Sequence, residues 1–358
     1  MTPLARTLIQ RIAVRGPITI ARYMAEALGH PVHGYYQTRD PLGAQGDFTT
    51  APEISQMFGE LIGLWCADLW QRAGMPETVM LVELGPGRGT LMADALRALA
   101  LLPRLYAATS VHFVETSPVL RARQAGLVPD AQWHDRLADV PQGFAFVIAN
   151  EFFDALPVRQ LVRHRGAWRE RMVGLDGTGE RLAPCIETAS ADLSALVPPD
   201  LRAGPEGAVF ETCPAGLALA HDLGARLATQ GGAALIIDYG HAASGHGETL
   251  QAVKGHGFAD PFAAPGEADL TAHVDFAALA LAARKGGAMT HGPVAQGAFL
   301  AALGIAERAE RLTAGATPQQ RAAIEAACAR LVEGQAMGQL FKVLALTGRD
   351  MPWPAGFS

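Results

Sequence analysis

The chain has 358 residues, 49% of them hydrophobic and 18% charged, which suits a large buried core. A net charge of −6 with no basic patch argues against nucleic acid as a partner, and no run reaches the roughly 18 apolar residues that a membrane span needs. Four cysteines (Cys66, Cys185, Cys213 and Cys328) lie far apart without a C-x-x-C pair and read as buried thiols in a reducing compartment.

Residues 1–75 read as helix, helix, loop, helix. Arg6, Arg11, Arg15 and Arg22 precede the first acid, Glu26, a composition shared with mitochondrial transit peptides. Leu4, Leu8 and Ile12 at helical spacing favour an amphipathic helix of the mature domain instead, and a cytoplasmic protein. Pro17 ends that helix and Thr19 caps a second over Ile20–Leu28. From Gly29 to Pro52 the periodicity stops. A loop rich in Gly, Pro and Asp but carrying Tyr35, Tyr36 and Phe48 reads as functional rather than disordered. Helix 53–73 follows, with Ile54, Met57, Phe58, Leu61, Ile62 and Trp65 on one face.

Val79–Leu91 (VMLVELGPGRGTL) organises the rest. Val79–Val82 is a short apolar run of the kind that forms a core parallel strand. Glu83 closes it, Gly85, Gly87 and Gly89 make a tight turn, and Thr90 opens a helix. Glycines at such a turn let backbone N–H groups approach a ligand, with the helix's positive end beside them. A dinucleotide fingerprint would read G-x-G-x-x-G with an acid about 20 positions on. Here the third glycine comes one position early, and the next strand-end acid, Glu115, lies 32 positions after Glu83. Acids on both sides of the glycine turn resemble the S-adenosylmethionine (SAM) site of class I methyltransferases, whose first acid lies beside the methionine ammonium and whose second takes the ribose hydroxyls. An NAD-dependent dehydrogenase is the competing pattern.

Strands Ser110–Val114, Ala131–Trp133 and Phe144–Ala149 alternate with helices, which indicates a parallel, doubly wound sheet. Glu83, Glu115, Asp135 and Asn150–Glu151 all fall at expected strand carboxyl ends, where such sheets bind ligands. From Pro157 to about Gly207, segments Leu161–His164, Trp168–Val173 and Arg181–Ile186 read as a β-meander inserted into the fold. The core resumes with helix 214–229 and strand Ala233–Ile237, ending at Asp238. A second long loop, 241–272, carries a short strand at Thr249–Val253. Helix 273–284, strand 288–291, helices 294–303 and 317–333, and strand Phe341–Leu346 complete the chain. The expected division is 1–75 helical cap and lid, 76–157 first part of the core, 158–207 insertion, and 208–358 second part of the core.

Five stretches then carry a resemblance: GDFTTAPEISQMFGE (Gly46–Glu60), ELGPGRGTLMAD (Glu83–Asp94), NEFFDALPV (Asn150–Val158), IDYGH (Ile237–His241) and ADLTAHVDF (Ala268–Phe276). Together they resemble the MidA-type class I SAM-dependent methyltransferases, related to the mitochondrial arginine methyltransferase that assists assembly of respiratory complex I. The likeness spans nearly the whole chain, with a departure at Gln339, where the family often has an acid or a base. It implies a Rossmann-like α/β fold, SAM as cofactor, and an arginine of a protein substrate, by precedent a quinone-side subunit of NADH:quinone oxidoreductase. The start of the chain near that of the family's shared domain fits a bacterial, cytoplasmic member. The oligomeric state stays open, a homodimer being one option.

A guanidinium stays protonated in water and is a poor nucleophile. Carboxylates gripping it by paired hydrogen bonds can fix its plane beside the methyl donor, and Glu151 and Asp154 are the candidates. Asp154 has helix capping as its alternative. The expected cofactor set is Glu83, Gly85, Gly87, Gly89, Glu115, Asp135, Asn150 and Asp47. Asp135 would accept from the adenine amino group or merely cap, and Asp47 belongs to a lid or to an Asx turn. His134 and Trp133 read as packing, and Asp238 as a site residue or a turn former. His241, His246, His256, His273 and His291 show no metal-ligand spacing, so no metal is expected. The reading from another class is an assembly chaperone that keeps the SAM pocket and works by docking to an oxidoreductase subunit.

Overall fold

Val79–Leu84 (β1) forms the centre of the sheet on which the molecule is built, and all six of its residues are buried. The computed structural model describes residues 1–38, 49–187, 192–255 and 257–357. Numbering core strands only, β2 is Thr109–Val114, β3 Gln132–His134, β4 Ala145–Asn150, β5 Gly232–His241, β6 Met289–Ala295 and β7 Phe341–Thr347. Their order is β3-β2-β1-β4-β5-β7-β6. Strands β1 to β5 run parallel, and β7 lies antiparallel between β5 and β6. The chain winds outward from β1 to β3, then returns to place β4 on the other side of β1. The carboxyl ends of β1 and β4 therefore flank a reversal of winding, the place where such sheets open a crevice. This is the doubly wound α/β architecture expected from the alternation of strands and helices.

Because side chains alternate across a strand, neighbouring residues feed opposite cores. Leu81, Phe146 and Leu235 pack with Phe58, Ile62 and Trp65 of helix Gln56–Arg72 on one face. Val82, Val147 and Ile236 pack with Leu223 and Leu227 of helix Pro214–Gln230 and Leu279 of helix Phe276–Gly286 on the other.

The N-terminal helices, Pro3–Arg15 and Ile20–Gly29, carry Thr2 and Thr19 as N-caps, accepting from the N–H of Ala5 and Arg22. Leu4, Leu8, Tyr23 and Met24 join Val158, Val173, Ala252 and Leu270 in one cluster, so the cap packs on the insertion. Ile18–Thr19 adds a short antiparallel edge to strand Ala167–Leu175, opposing Ile18 to Val173. The meander itself is Arg159–His164, Ala167–Leu175 and Leu182–Ile186. Val209–Thr212 lies beyond the expected insertion boundary yet pairs with Arg159–His164, because Phe210 packs with Leu161 and Trp168. Helix Ile305–Thr313 was not expected from the sequence. Only Ile305 is fully buried, although Ala309 and Leu312 follow it at helical spacing and pack against the same core.

Candidate functional site

Gly85, Gly87 and Gly89 follow β1 with φ of 61°, 54° and 87°, a left-handed succession that side chains with a Cβ resist. Pro86 sits between the first two, and its carbonyl accepts the Gly89 N–H at 2.7 Å. A Cβ at Gly85 would stand 2.6 Å from a ring carbon of Phe152. Helix Thr90–Leu99 starts directly from the turn. The turn walls a cavity of about 330 Å³, whose other described walls include Glu83, Glu115, Asn150 and Glu151, with Leu28 and Tyr36 reaching over from the N-terminal cap.

Glu83 is 3% exposed, and its Oε2 has no hydrogen-bond partner among the described residues. Burial pushes its pKa well above the usual carboxylate range. Glu115 is also raised by burial, although the Ser117 N–H at 2.7 Å and Gln124 pull against that rise. Gln124 is wholly buried and holds three parts together. Its amide nitrogen donates to the Gly87 carbonyl at 2.8 Å and to Glu115 at 3.3 Å, and its oxygen accepts the Trp133 indole N–H at 2.8 Å. Trp133 thus does more than pack. Asp135 is brought elsewhere: its side chain is 74% exposed, pairs with Arg121 at 2.6 Å, and does not line the cavity.

At the carboxyl end of β4, Asn150 and Glu151 both face the cavity. Glu151 has a φ of 49°, unusual for a residue with a Cβ. Its Oε1 accepts the Ala51 N–H at 3.0 Å and the Asn150 side-chain amide at 3.3 Å. Burial, reinforced by the charge of Asp154, raises the Glu151 pKa to about 8. Asp154 is buried in a turn, so helix capping does not apply, and its carboxyl is not on the cavity wall. Burial lifts its pKa to about 6, with the Tyr239 hydroxyl pulling the other way.

The loop bearing these residues hangs on Asp238, at the matching end of β5. Its Oδ2 accepts the N–H groups of Phe152, Phe153 and Asp154 at 3.2, 3.0 and 3.2 Å, and its Oδ1 accepts that of Tyr239. Asp238 is therefore the organiser of a turn, not part of the cavity wall. Glu53, from the short helix Ala51–Ile54, lines the cavity, accepts the Thr90 hydroxyl and pairs with Arg88 at 3.4 Å. Asp47 and His256 lie outside the described residues. Among the described residues, no group of three or more His, Cys, Asp or Glu is placed to hold a metal.

Residues 61–294 match the family described as "Putative S-adenosyl-L-methionine-dependent methyltransferase". The chain belongs to that family. A protein from Burkholderia thailandensis bound to S-adenosyl-homocysteine has the same fold, with a TM-score of 0.85 and 30% identity over 99% of this chain and 93% of that one. The protein arginine methyltransferase NDUFAF7 homolog, mitochondrial, of Drosophila melanogaster is 40% identical, covering 96% of this chain and 84% of its own. Human protein arginine methyltransferase NDUFAF7, mitochondrial, is 36% identical, covering 97% and 83%. These animal relatives correct the expected bacterial, cytoplasmic location, since they are mitochondrial proteins. The buried Leu4, Leu8 and Ile12 do show a helix built into the fold, but such a helix says nothing about compartment.

The methyltransferase cofactor fits the residues present. The unpartnered Glu83 Oε2 suits an ammonium, since a buried acceptor left unpaired is costly and calls for a donor. Glu115 and the glycine turn, braced by Gln124, suit a ribose and its attached chain. Gln124 was missed as a site residue. It reads as one polar position in a helix, and nothing local signals the three partners that the sheet brings to it.

Proposed function

We propose that this methyltransferase modifies an arginine side chain of a protein, by family precedent a quinone-side subunit of NADH:quinone oxidoreductase, in aid of its assembly. The observation that carries the reading is Glu151: a half-buried carboxylate on the wall of the same cavity as the residues suited to the cofactor. The arginine methyltransferase relatives support the acceptor type.

In this reading Glu83 takes the cofactor's ammonium, Glu115 its ribose hydroxyls, and the glycine turn the chain between them. Bound SAM supplies a methyl group on a positive sulfonium, which leaves as a neutral thioether. Glu151 accepts from the acceptor guanidinium through Oε2, the oxygen that Ala51 and Asn150 leave free, and helps aim one nitrogen at the methyl carbon. As the N–C bond forms, that nitrogen must give up a proton. A carboxylate with a pKa near 8 is well matched to receive it. Phe152 and the cap residues Leu28 and Tyr36 help to exclude water.

The test is mass spectrometry of the cognate oxidoreductase subunits with and without this protein, alongside transfer of labelled methyl groups to the isolated subunits. Methylarginine at a defined position, lost without the protein, is the expected result. A protein that binds the donor yet leaves every subunit unmodified is a docking factor instead.

A further inference from the structure

Among the described residues, two cavity-lining side chains each keep a buried acceptor atom without a partner: Glu83 Oε2 and Asn150 Oδ1. The first is accounted for by the cofactor's ammonium. The second is not. Asn150 is 8% exposed, and its amide orientation follows from its neighbour: Nδ2 stands 3.3 Å from Glu151 Oε1, where only an N–H makes an attractive contact. Oδ1 is therefore turned the other way and left as an acceptor.

The same bond changes what Glu151 can offer. Its Oε1 already receives the Asn150 amide and the Ala51 N–H, which uses both of that oxygen's lone pairs. A carboxylate so committed cannot present two free oxygens to a guanidinium. Asp154, the other acid of this loop, does not line the cavity.

We infer that Asn150 is a substrate-contacting specificity residue: its Oδ1 and Glu151 Oε2 form a mixed amide–carboxylate fork that receives two N–H groups of the acceptor arginine. This rests on the arginine reading above and deepens it. The fork carries a single negative charge, so it holds the guanidinium in its plane without the second carboxylate that would make release of the proton harder. It also favours a planar, multiply donating acceptor over a lysine ammonium, whose tetrahedral donors do not lie in one plane.

The experiment uses the full chain, with recombinant quinone-side oxidoreductase subunits as acceptor and S-adenosylhomocysteine as the probe of the donor site. For Asn150→Ala we expect an acceptor KM raised about tenfold or more, the usual consequence of losing a hydrogen bond to a charged group. Affinity for S-adenosylhomocysteine should stay within about twofold. Asn150→Asp keeps an oxygen where Oδ1 stands and should recover much of the acceptor KM, which a role confined to the Nδ2 bond would not allow. It also keeps the inference open to test should the alanine variant fail to fold. An unchanged acceptor KM in Asn150→Ala overturns the fork, and so does a tenfold loss of donor affinity, which would place Oδ1 against the cofactor's ammonium. Wild-type protein that methylates no arginine overturns the arginine reading itself, a result distinct from either.

Discussion

The Glu151 carboxylate accepts the backbone N–H of Ala51 at 3.0 Å, across 100 positions of sequence. Through that bond the loop after β4 holds the segment that enters helix Ala51–Ile54, while Glu53 three positions after Thr50 ties the same helix to Thr90. Glu151 therefore closes the cavity as well as lining it. Its left-handed backbone, of the kind that costs about 1–3 kcal/mol, is maintained by the N–H bonds that Asp238 takes from the next three residues. An unfavourable conformation kept in place by a dedicated carboxylate is where a functional constraint is expected.

Glu151→Gln separates these two roles. Glutamine keeps a side-chain oxygen for the Ala51 N–H, so the fold and the donor site should survive. It offers no negative charge to the guanidinium and no base for its proton. Methyl transfer should fall by about 10²-fold or more, with S-adenosylhomocysteine affinity nearly unchanged. Calorimetric donor binding and single-turnover transfer check this. Transfer near the wild-type rate would remove Glu151 from the acceptor contact.

The pH profile follows from the same group. With its pKa raised to about 8 in the free protein, Glu151 is largely protonated near pH 6 and gains its charge as the pH passes 8. Acceptor kcat/KM should therefore rise with pH up to about 8 and then level off, and the rise should be absent in Glu151→Gln. Stability runs the opposite way. The folded protein holds this proton more tightly than the unfolded chain, so the contribution is complete below the ordinary carboxylate pKa. It is lost progressively as the pH climbs through about 8. Thermal denaturation of the unliganded protein should show Tm falling over this interval, less steeply in the glutamine variant.

How far this site was legible depends on whether its residues announce themselves locally. Glu83 and the three glycines do, because a buried strand, an acid and a run of left-handed positions must be contiguous in sequence. Glu115 and Glu151 were found by reading where strands stop. Asp238 was also marked by the end of its strand, as a site residue or a turn former, but only the assembled sheet shows that it holds the loop after β4. Gln124 has no such mark: its partners come from other strands and loops, and become neighbours only when the sheet is assembled. Asp135 shows the opposite failure. It sits at the end of β3 as expected, but Arg121 of the preceding helix captures its carboxylate and turns it to solvent. No strand was expected at Val209–Thr212, whose pairing with Arg159–His164 spans some forty intervening residues. Alternation identifies a strand but does not choose its neighbour.

Gly87→Val should abolish donor binding. Gly87 has a φ of 54°, and its carbonyl is fixed by Gln124 at 2.8 Å. Valine is β-branched and resists that conformation, at a cost of about 1–3 kcal/mol. The turn would then relax away from Gln124 and disturb Glu115 with it. Loss of S-adenosylhomocysteine binding in a protein whose circular dichroism remains native is the expected outcome. Retained binding would show that the cofactor does not depend on the turn.

Asp238 gives the sharpest contrast between a contact that shapes the site and one that only fills space. Asp238→Ala would orphan the N–H groups of Phe152, Phe153, Asp154 and Tyr239. Each buried donor left unpaired costs about 1–3 kcal/mol, so a loss of several kcal/mol in urea denaturation is expected even after partial relaxation. Asp238→Asn retains one oxygen for the loop but turns an amide toward the Tyr239 N–H, and should cost only about 1–3 kcal/mol. In that folded variant the loop carrying Asn150 and Glu151 is less firmly held. Acceptor kcat/KM should drop about tenfold or more while donor affinity, which rests on β1 and β2, stays close to wild type. Equal losses of donor and acceptor affinity would mean that Asp238 supports the fold as a whole, and that the loop after β4 has no separate hold on the acceptor.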